Sequence, residues 1–559
     1  MRGIPLKQSM RGADVVLEVL RSEGVTRIFG NPGTTELPLI DALAHYPDIE
    51  YVLALQEASA VAMADGYAQV TRRPAFVNLH TAGGLGHGMG NILNAVASCT
   101  PLVITAGQQD QRHKVTYPLL AGDLTSLASS VAKWTHEVTD IAELPIVLRR
   151  AFQDAMAPPR GIVFLSLPMD VMDQVGLVDL GKRSLIDRAV TPADVKDLAH
   201  LIGSYEPGRL ALLAGDEVVA GGADAKVVAL AEMLGAPVFG SSWPAVNSFP
   251  PSHPLWMGNL PTKACEIAAC LSGYDAIFAL GGKSLITILY TEGPVVPEEV
   301  DIIHLSPNCQ DLGRTYCTRL GVTGDLAVTL ARLLTALVPY LQTKEGAVRA
   351  AISQSRKRRS SESAGNLAQV REQRCGIPIT PIVAAYELLQ AIPPETLIVD
   401  EALATSKYVR MFHRSARAGD YRFFRGGGLG WGMPAAVGCS LGLGKKLTVC
   451  VVGDGAAMYS PQALWTAAHQ ELPVVFIIMN NREYNVLKRF MREQTHYVSA
   501  GEDRFVGMDL SEPPIDFVAL AQSMGVRGVK VEEASTIKEV VEAAVLQAGP
   551  SLIEIVIGT

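Results

Sequence analysis

Residues 447–481 read LTVCVVGDGAAMYSPQALWTAAHQELPVVFIIMNN, and they are the clearest indicator of the fold in this sequence. Two continuous apolar runs, one ending in Gly and the other in Asn, flank a segment long enough for one helix. Such runs predict strands of a parallel sheet that is covered by helices on both faces. The pattern recurs in RPAFVNLHTAGG, RGIVFLSLP and YDAIFALGGK, so the sequence predicts an α/β protein of doubly wound parallel sheets.

Two breaks in composition predict three such domains in the 559 residues. The stretch 182–194 is polar and contains a proline, and the stretch 342–378 is rich in charge and poor in large apolar residues. We therefore expect domains at 1–185, 190–340 and 375–559, with a linker at 341–374. The basic cluster at 356–359 has no interleaved aromatic residues, which favours a solvated connecting segment over a nucleic-acid patch.

Composition also excludes several classes of protein. The chain is 48% hydrophobic and 19% charged with a formal net charge of −8, which excludes disorder and argues against nucleic acid as a partner. The eight cysteines form no CxxC pair and are typical of buried thiols in a reducing compartment. The apolar run Leu472–Met479 is far too short for a membrane span, and the N-terminus has no apolar signal core. We expect a cytoplasmic protein with no membrane partner.

The strongest chemical signal is GDG at 453–455, which is followed after 24 residues by Asn480 and Asn481. Both motifs follow buried strands, and the carboxyl ends of neighbouring parallel strands are where open α/β sheets bind ligands. Asp454 and an Asn carboxamide supply the hard oxygen ligands that suit Mg²⁺. The N–H groups of Gly455 and Ala456, at the start of a helix, can receive phosphate oxygens.

GDG–x24–NN resembles the cofactor motif of the thiamin diphosphate-dependent family that includes benzoylformate decarboxylase, pyruvate decarboxylase and acetolactate synthase. The resemblance covers the whole chain and is closest to benzoylformate decarboxylase-like proteins, through FGNPGTTELPL (29–39), LALQEASAVAMADGYAQ (53–69), TAGQQ (105–109) and GGLGWGMPAA (427–436). It implies pyrimidine-binding, middle and diphosphate-binding domains, with thiamin diphosphate and Mg²⁺ as cofactors. It also implies a homo-oligomer, in the form of a dimer of dimers, with active sites at subunit interfaces.

The resemblance assigns the residues that bind the cofactor. Asp454, Asn481 and the main-chain carbonyl of Glu483 match the Mg²⁺ ligands. Glu57 matches the carboxyl that hydrogen-bonds N1′ of the aminopyrimidine and favours proton exchange with that ring. Leu429 matches the large apolar residue that keeps the cofactor bent. The remaining cofactor-binding positions are Leu403, Ala404, Gly453, Gly455, Ala456, Asn481 and Tyr484.

The resemblance also implies a substrate pocket for a 2-oxo acid or an aldehyde. His80 matches a residue that acts on the substrate carboxylate and carries a proton, a role that suits a side chain with a pKa near neutrality. Thr34 stands where close relatives use a Ser to hydrogen-bond substrate. Ile288, Leu487 and Phe490 complete the pocket, and Ile288 aligns where benzoylformate decarboxylase has a second His. His87 is interpreted as a turn or helix-cap residue.

The leading hypothesis is non-oxidative decarboxylation of a benzoylformate-like 2-oxo acid to an aldehyde and CO₂. The alternative is a carboligase, C–C lyase or acetolactate synthase-like transferase that captures the same enamine intermediate with a second carbonyl. Ile288 favours this alternative, because an apolar residue cannot deliver the proton that completes an aldehyde. A non-catalytic binding protein and a flavin in the middle domain are further alternatives. The cations Arg482, Lys488, Arg489 and Arg492 either lie on a helix surface or favour a second anionic group on the substrate.

Overall fold

The computed structural model describes residues 7–559, and three six-stranded parallel sheets carry the fold. The predicted fold class is therefore confirmed. Each sheet places its apolar strands between two layers of helices, as the sequence pattern requires. A short antiparallel pair, β1 with β8, accompanies the first sheet.

The first domain has the sheet order β3-β2-β4-β5-β7-β6. Its strands are β1 (Gln8–Arg11), β2 (Arg27–Gly30), β3 (Glu50–Leu53), β4 (Ala75–Leu79), β5 (Leu102–Gln108), β6 (Trp134–Glu137), β7 (Ile162–Pro168) and β8 (Val175–Val178). Its helices are α1 (Gly12–Glu23), α2 (Leu37–Leu43), α3 (Glu57–Thr71), α4 (Thr81–Ala97), α5 (Leu124–Ser129), α6 (Leu144–Met156) and α7 (Met169–Asp173).

The middle domain has the sheet order β11-β10-β9-β12-β13-β14. Its strands are β9 (Leu210–Ala214), β10 (Val238–Gly240), β11 (Trp256–Asn259), β12 (Ala276–Leu280), β13 (Asp301–Ser306) and β14 (Leu320–Thr323). Its helices are α8 (Lys196–Ser204), α9 (Glu217–Ala220), α10 (Asp224–Leu234), α11 (Ala264–Leu271) and α12 (Leu326–Leu341). Helix α13 (Glu345–Gln373) then runs through the segment that the sequence marks as a linker.

The third domain has the sheet order β16-β15-β17-β18-β20-β19. Its strands are β15 (Leu397–Glu401), β16 (Tyr421–Phe423), β17 (Thr448–Gly453), β18 (Val474–Asn480), β19 (Arg527–Val531) and β20 (Ser551–Val556). Its helices are α14 (Pro381–Ala391), α15 (Ser406–Phe412), α16 (Gly432–Gly442), α17 (Asp454–Ala457), α18 (Ala463–His469), α19 (Asn485–Arg492), α20 (Val498–Glu502), α21 (Phe517–Ser523) and α22 (Ala534–Leu546).

The first and third domains share one topology, and its switch points position the candidate site. In each sheet the second strand in chain order lies on one side of the first strand, and the third lies on the other side. The strand order therefore reverses between β2 and β4 in one domain and between β15 and β17 in the other. Open α/β sheets bind ligands at this point, beyond the carboxyl ends of the strands. Thr34 and His80 follow β2 and β4, whereas Leu403 and Asp454 follow β15 and β17.

The first and third domains also pack directly on each other within one chain, through helices α3 and α16. A side-chain carbon at Gly66 would lie 2.3 Å from the carbonyl oxygen of Ala435, and one at Gly438 would lie 1.8 Å from that of Met63. Only glycine permits backbones to approach so closely. One continuous hydrophobic core consequently extends from the first domain into the third.

Within residues 7–559, no single helix is long and apolar enough to cross a bilayer. Helices α12 and α13 pass that test only when they are taken together, and they meet at a bend of 114°.

Candidate active site

Glu57 opens helix α3 at the carboxyl end of β3. Gln56 caps this helix, because its side chain accepts a hydrogen bond from the backbone N–H of Ser59 at 3.0 Å. The Glu57 carboxylate is buried, and Nδ1 of His87 lies 3.2 Å from its Oε2 atom. His87 lies in the middle of helix α4 rather than in a turn or at a cap, so the interpretation from sequence was wrong about its place.

His80 is fixed by a buried carboxylate that the sequence analysis did not identify. Nδ1 of His80 lies 2.8 Å from Oε2 of Glu36, a residue that is only 2% exposed. The other oxygen of Glu36 accepts hydrogen bonds from the Thr35 hydroxyl and from the backbone N–H of Gly107, each at 2.8 Å. A carboxylate at Nδ1 orients the ring and leaves Nε2 available for a ligand.

Gly84 brings Glu57 and His80 to the same turn of helix α4. A side-chain carbon at Gly84 would lie 3.2 Å from Oε1 of Glu57 and 3.5 Å from Cβ of His80. The two side chains therefore stand next to each other at one edge of the first domain. This edge combines a buried carboxylate with an oriented imidazole, and either group can transfer a proton.

Thr34 and Thr35 have different positions in the same 3₁₀ turn. The side chain of Thr34 is exposed, whereas Thr35 is buried and places its hydroxyl 3.2 Å from Nδ1 of His80. The Thr35 hydroxyl is therefore part of the support for His80, and Thr34 is the hydroxyl that is open to a ligand.

Asp454 and its neighbours form the candidate metal site at the end of β17. The Asp454 carboxylate is buried, and burial raises its pKa to about 6. Its Oδ1 accepts from the N–H of Gly455 at 2.8 Å, and its Oδ2 accepts from the N–H of Arg482 at 2.6 Å. Hard carboxylate and amide oxygens at one sheet edge fit Mg²⁺. The Gly455 N–H, which was expected to receive a phosphate oxygen, already donates to Asp454.

The loop after β18 carries the other predicted ligands. Asn480 turns inward and donates to Oε1 of Glu554 at 2.7 Å, whereas Oδ1 of Asn481 accepts from the N–H of Glu483 at 3.1 Å. The ring of Tyr484 packs on Gly455, where a side-chain carbon would lie 2.4 Å from it. The tyrosine therefore closes the GDG turn from above and leaves no room for a larger residue at that position.

The turn that carries Leu429 is held by side chains from two domains. Glu401 accepts hydrogen bonds from the N–H groups of Gly430, Trp431 and Gly432 at 2.6–3.3 Å, and burial raises the Glu401 pKa to about 8. From the first domain, Asn94 donates to the carbonyl of Gly428 at 2.8 Å. Leu429 itself is half-buried against the shared core, so its backbone is rigidly placed.

Leu403 and Ala404 lie half-buried in the loop after β15, where a diphosphate is expected. The next two residues, Thr405 and Ser406, carry buried hydroxyl groups. The hydroxyl of Ser406 donates to Asp400 at 2.8 Å, which ties this loop to its strand. Backbone groups are therefore the donors that Leu403 and Ala404 can offer.

The remaining pocket residues come from the middle and third domains. Ile288 is 45% exposed, and its N–H donates to the carbonyl of Thr262 at 3.2 Å. The adjacent Lys263 forms a 2.9 Å ion pair with Glu493, which follows helix α19. Exposed Leu487 and half-buried Phe490 lie on that helix, so Ile288 belongs to a segment tied to it.

Two of the four candidate cations are already paired. Lys488 is buried and binds the carboxylates of Glu483 and Asp509, and Arg492 pairs with Asp503 at 3.0 Å. Arg482 and Arg489 are exposed. This arrangement weakens the hypothesis of a second anionic group on the substrate, because the charge of Lys488 is already balanced by the carboxylates of Glu483 and Asp509.

The middle domain has the strand order of dinucleotide-binding sheets, but its crevice is filled. The carboxylate of Glu217 lies where side-chain carbons at Gly281 and Gly282 would be, within 2.3 and 2.7 Å. Glu217 is buried, which raises its pKa. A side chain in the position where a diphosphate would lie disfavours a flavin there.

Sequence profiles of one family match each of the three domains. They are described as thiamine pyrophosphate enzyme, N-terminal TPP binding domain, central domain and C-terminal TPP binding domain, and they match residues 10–139, 195–333 and 406–555. The chain belongs to the thiamine pyrophosphate enzyme family.

Relatives in this family fall into two groups. Benzoylformate decarboxylase of Pseudomonas aeruginosa is 32% identical and aligns with 96% of this chain and 97% of its own. Acetolactate synthase isozyme 3 large subunit of Escherichia coli is 24% identical, over 94% of this chain and 90% of its own. Among solved structures, a thiamine diphosphate-dependent 4-hydroxybenzoylformate decarboxylase of Rhodococcus jostii has a TM-score of 0.86 at 30% identity, covering 98% of this chain and 99% of its own.

Proposed function

We propose that this protein is a thiamin diphosphate- and Mg²⁺-dependent decarboxylase that converts a benzoylformate-like 2-oxo acid to an aldehyde and CO₂. The observation that carries the proposal is the meeting of Glu57 and His80 at Gly84, with His80 oriented by the buried Glu36. The similarity to two decarboxylases of aromatic 2-oxo acids supports the substrate class.

Each residue has one task in this reaction. Asp454, Asn481 and the carbonyl of Glu483 would hold Mg²⁺, and Leu429 would support the cofactor. When bound, thiamin diphosphate supplies the electron sink for the electrons that CO₂ leaves behind. Glu57 would hold a proton at its carboxylate for exchange with the aminopyrimidine of the cofactor. Thr34 binds the substrate, and Nε2 of His80 binds the carboxylate and then delivers a proton.

The first experiment measures CO₂ release from a panel of 2-oxo acids with thiamin diphosphate and Mg²⁺ present. We expect Glu57→Gln to lower kcat at least about 100-fold, the range of general acid–base catalysis, while cofactor affinity changes far less. Glu50→Gln is the matched control, because Glu50 lies at the start of β3 and pairs with Arg27 at the surface. No CO₂ from any acid, with cofactor bound, would contradict the proposal.

Carboligation is the second candidate, and the position of Ile288 favours it. The Ile288 side chain has no proton to donate, so a second carbonyl compound could react before an aldehyde is completed. Product analysis with and without an added aldehyde separates the two reactions. We expect Ile288→His to raise aldehyde output from benzoylformate relative to ligated product.

We also propose that the protein acts as a homo-oligomer with active sites at subunit interfaces. Exposed apolar side chains lie close in sequence to the predicted cofactor residues Glu57 and Asp454 and on helix α4. Tyr459 packs on Gly430, whose carbonyl accepts a hydrogen bond from Asn91 of helix α4. The Leu93 patch consists of Leu55, Leu93, Val96, Met458 and Tyr459, each 38–58% exposed. Apolar side chains clustered beside a site are typical of a protein–protein interface.

A further inference from the structure

Three arginines line a cleft where the three domains meet. Arg72 follows helix α3, Arg160 precedes β7 and Arg422 lies in β16, while helix α9 supplies the wall from the middle domain. The cavity has a volume of about 40 Å³. Because a single water requires roughly 10–15 Å³, this space holds about three waters or one small anion.

None of the three arginines has a carboxylate partner among residues 7–559. Arg422 is 6% exposed, and its buried Nε finds no hydrogen-bond acceptor in the described chain. Arg160 makes one long hydrogen bond, in which its Nη1 donates to the carbonyl of Ala220 at 3.4 Å. A guanidinium stays charged under all ordinary conditions, so burying one without an anion is costly.

The carboxylate that lines this cleft belongs to Asp216, and it already has a cationic partner. Asp216 pairs with Arg425, and its carboxylate also accepts the backbone N–H of Ala245 at 3.0 Å. The cleft is left with an excess of positive charge.

The structure assigns this cleft to a small oxyanion such as inorganic phosphate or sulfate, bound by the guanidinium groups of Arg72, Arg160 and Arg422. Planar guanidinium groups donate paired hydrogen bonds to such oxyanions. The bound anion would bridge the first and third domains, and the middle domain would form one wall of its site. This site shares no residue with the proposed cofactor and substrate site, so it does not depend on the proposed reaction.

The test uses protein saturated with thiamin diphosphate and Mg²⁺, so that the diphosphate site is closed to the probe. Sodium sulfate and inorganic phosphate are titrated against sodium chloride at equal ionic strength, with Tm and calorimetric binding as readouts. We expect a saturable rise in Tm with either oxyanion. Arg72→Gln and Arg160→Gln should each weaken the binding at least about tenfold.

Arg73→Gln is the matched control, because Arg73 is an exposed neighbour that does not line the cleft. It should bind the oxyanions as the wild type does. An equal effect of chloride, or wild-type binding by both cleft variants, would overturn the assignment. Both readouts are independent of turnover, so the anion site can be tested even in a protein that decarboxylates none of the 2-oxo acids. An unchanged Tm in an active enzyme would reject the anion site and leave the proposed function in place.

Discussion

Glu36 shows how much one buried carboxylate can determine. Its two oxygens accept hydrogen bonds from the backbone of Gly33 and Gly107 and from Thr35, and one of them also faces His80. A carboxylate so completely bound cannot rotate, so the imidazole beside it is held in one orientation.

We expect Glu36→Gln to lower kcat about 10- to 100-fold, because the ring loses the charge that orients it. The affinity for thiamin diphosphate should change less than about twofold, since the hydrogen bonds of Glu36 go to Gly33, Thr35, His80 and Gly107 and not to the predicted cofactor residues. Steady-state kinetics across pH and calorimetric titration of the cofactor check both parts. A parallel loss of cofactor affinity would contradict a role confined to His80.

Glu401 makes stability depend on pH. Its folded pKa of about 8 lies above the ordinary value of 4.5, so between about pH 5 and 8 the folded chain keeps a proton that the unfolded chain has lost. The free energy of unfolding contributed by Glu401 therefore falls as pH rises through this window. We expect wild type to lose stability relative to Glu401→Gln between pH 5.5 and 7.5 in denaturant unfolding. Parallel pH curves would refute this.

The motif at the ends of two strands predicted Asp454 as a metal ligand, whereas Glu57 and His80 were assigned through the resemblance to thiamin diphosphate-dependent enzymes. Glu36 escaped prediction although it lies in FGNPGTTELPL, since an acidic residue before an apolar helix is ordinarily a first-turn residue. Its role depends on contacts with residues 44 and 71 positions away, which no local pattern reveals. The place of His87 was mistaken because glycine-rich 83–90 reads as a turn and is helical.

At the scale of elements, the crossing of α3 and α16 decides how the two cofactor-binding domains meet. Apolar runs predicted the strands, and their ends predicted where ligands bind. The crossing itself required knowledge of which backbone each glycine faces, Ala435 for Gly66 and Met63 for Gly438. Gly66 and Gly438 lie more than 370 positions apart in the chain, and sequence spacing does not connect them.

We expect Gly438→Ala to destabilise the protein by about 1–3 kcal/mol or more, because the added methyl overlaps the Met63 carbonyl. Gly365→Ala is the matched control. Gly365 is an exposed residue within helix α13 with open space around it, so alanine there should stabilise by about 0.5–1 kcal/mol. Denaturant midpoints of both variants measure the difference. Equal midpoints would show that the crossing tolerates a side chain.

At the scale of the whole molecule, the Leu93 patch leads to a prediction about assembly. Leu93→Glu places a charge in the proposed interface, so we expect a smaller species by size-exclusion chromatography with light scattering, and weaker cofactor binding with it. Leu546→Glu, at an 87% exposed position on helix α22, is the matched control and should leave both unchanged. A Leu93→Glu protein of wild-type size would reject this surface as the interface.

The shared core described above has a thermal consequence. The first and third domains share one hydrophobic cluster, beside a second cluster that lies within the first domain, whereas the clusters of the middle domain contain no residue of the other two domains. Cooperative units follow such boundaries, so the two outer domains should melt together and the middle domain apart from them. A scanning calorimeter would then record two endotherms, and the order of melting would show which of the two units is the more stable.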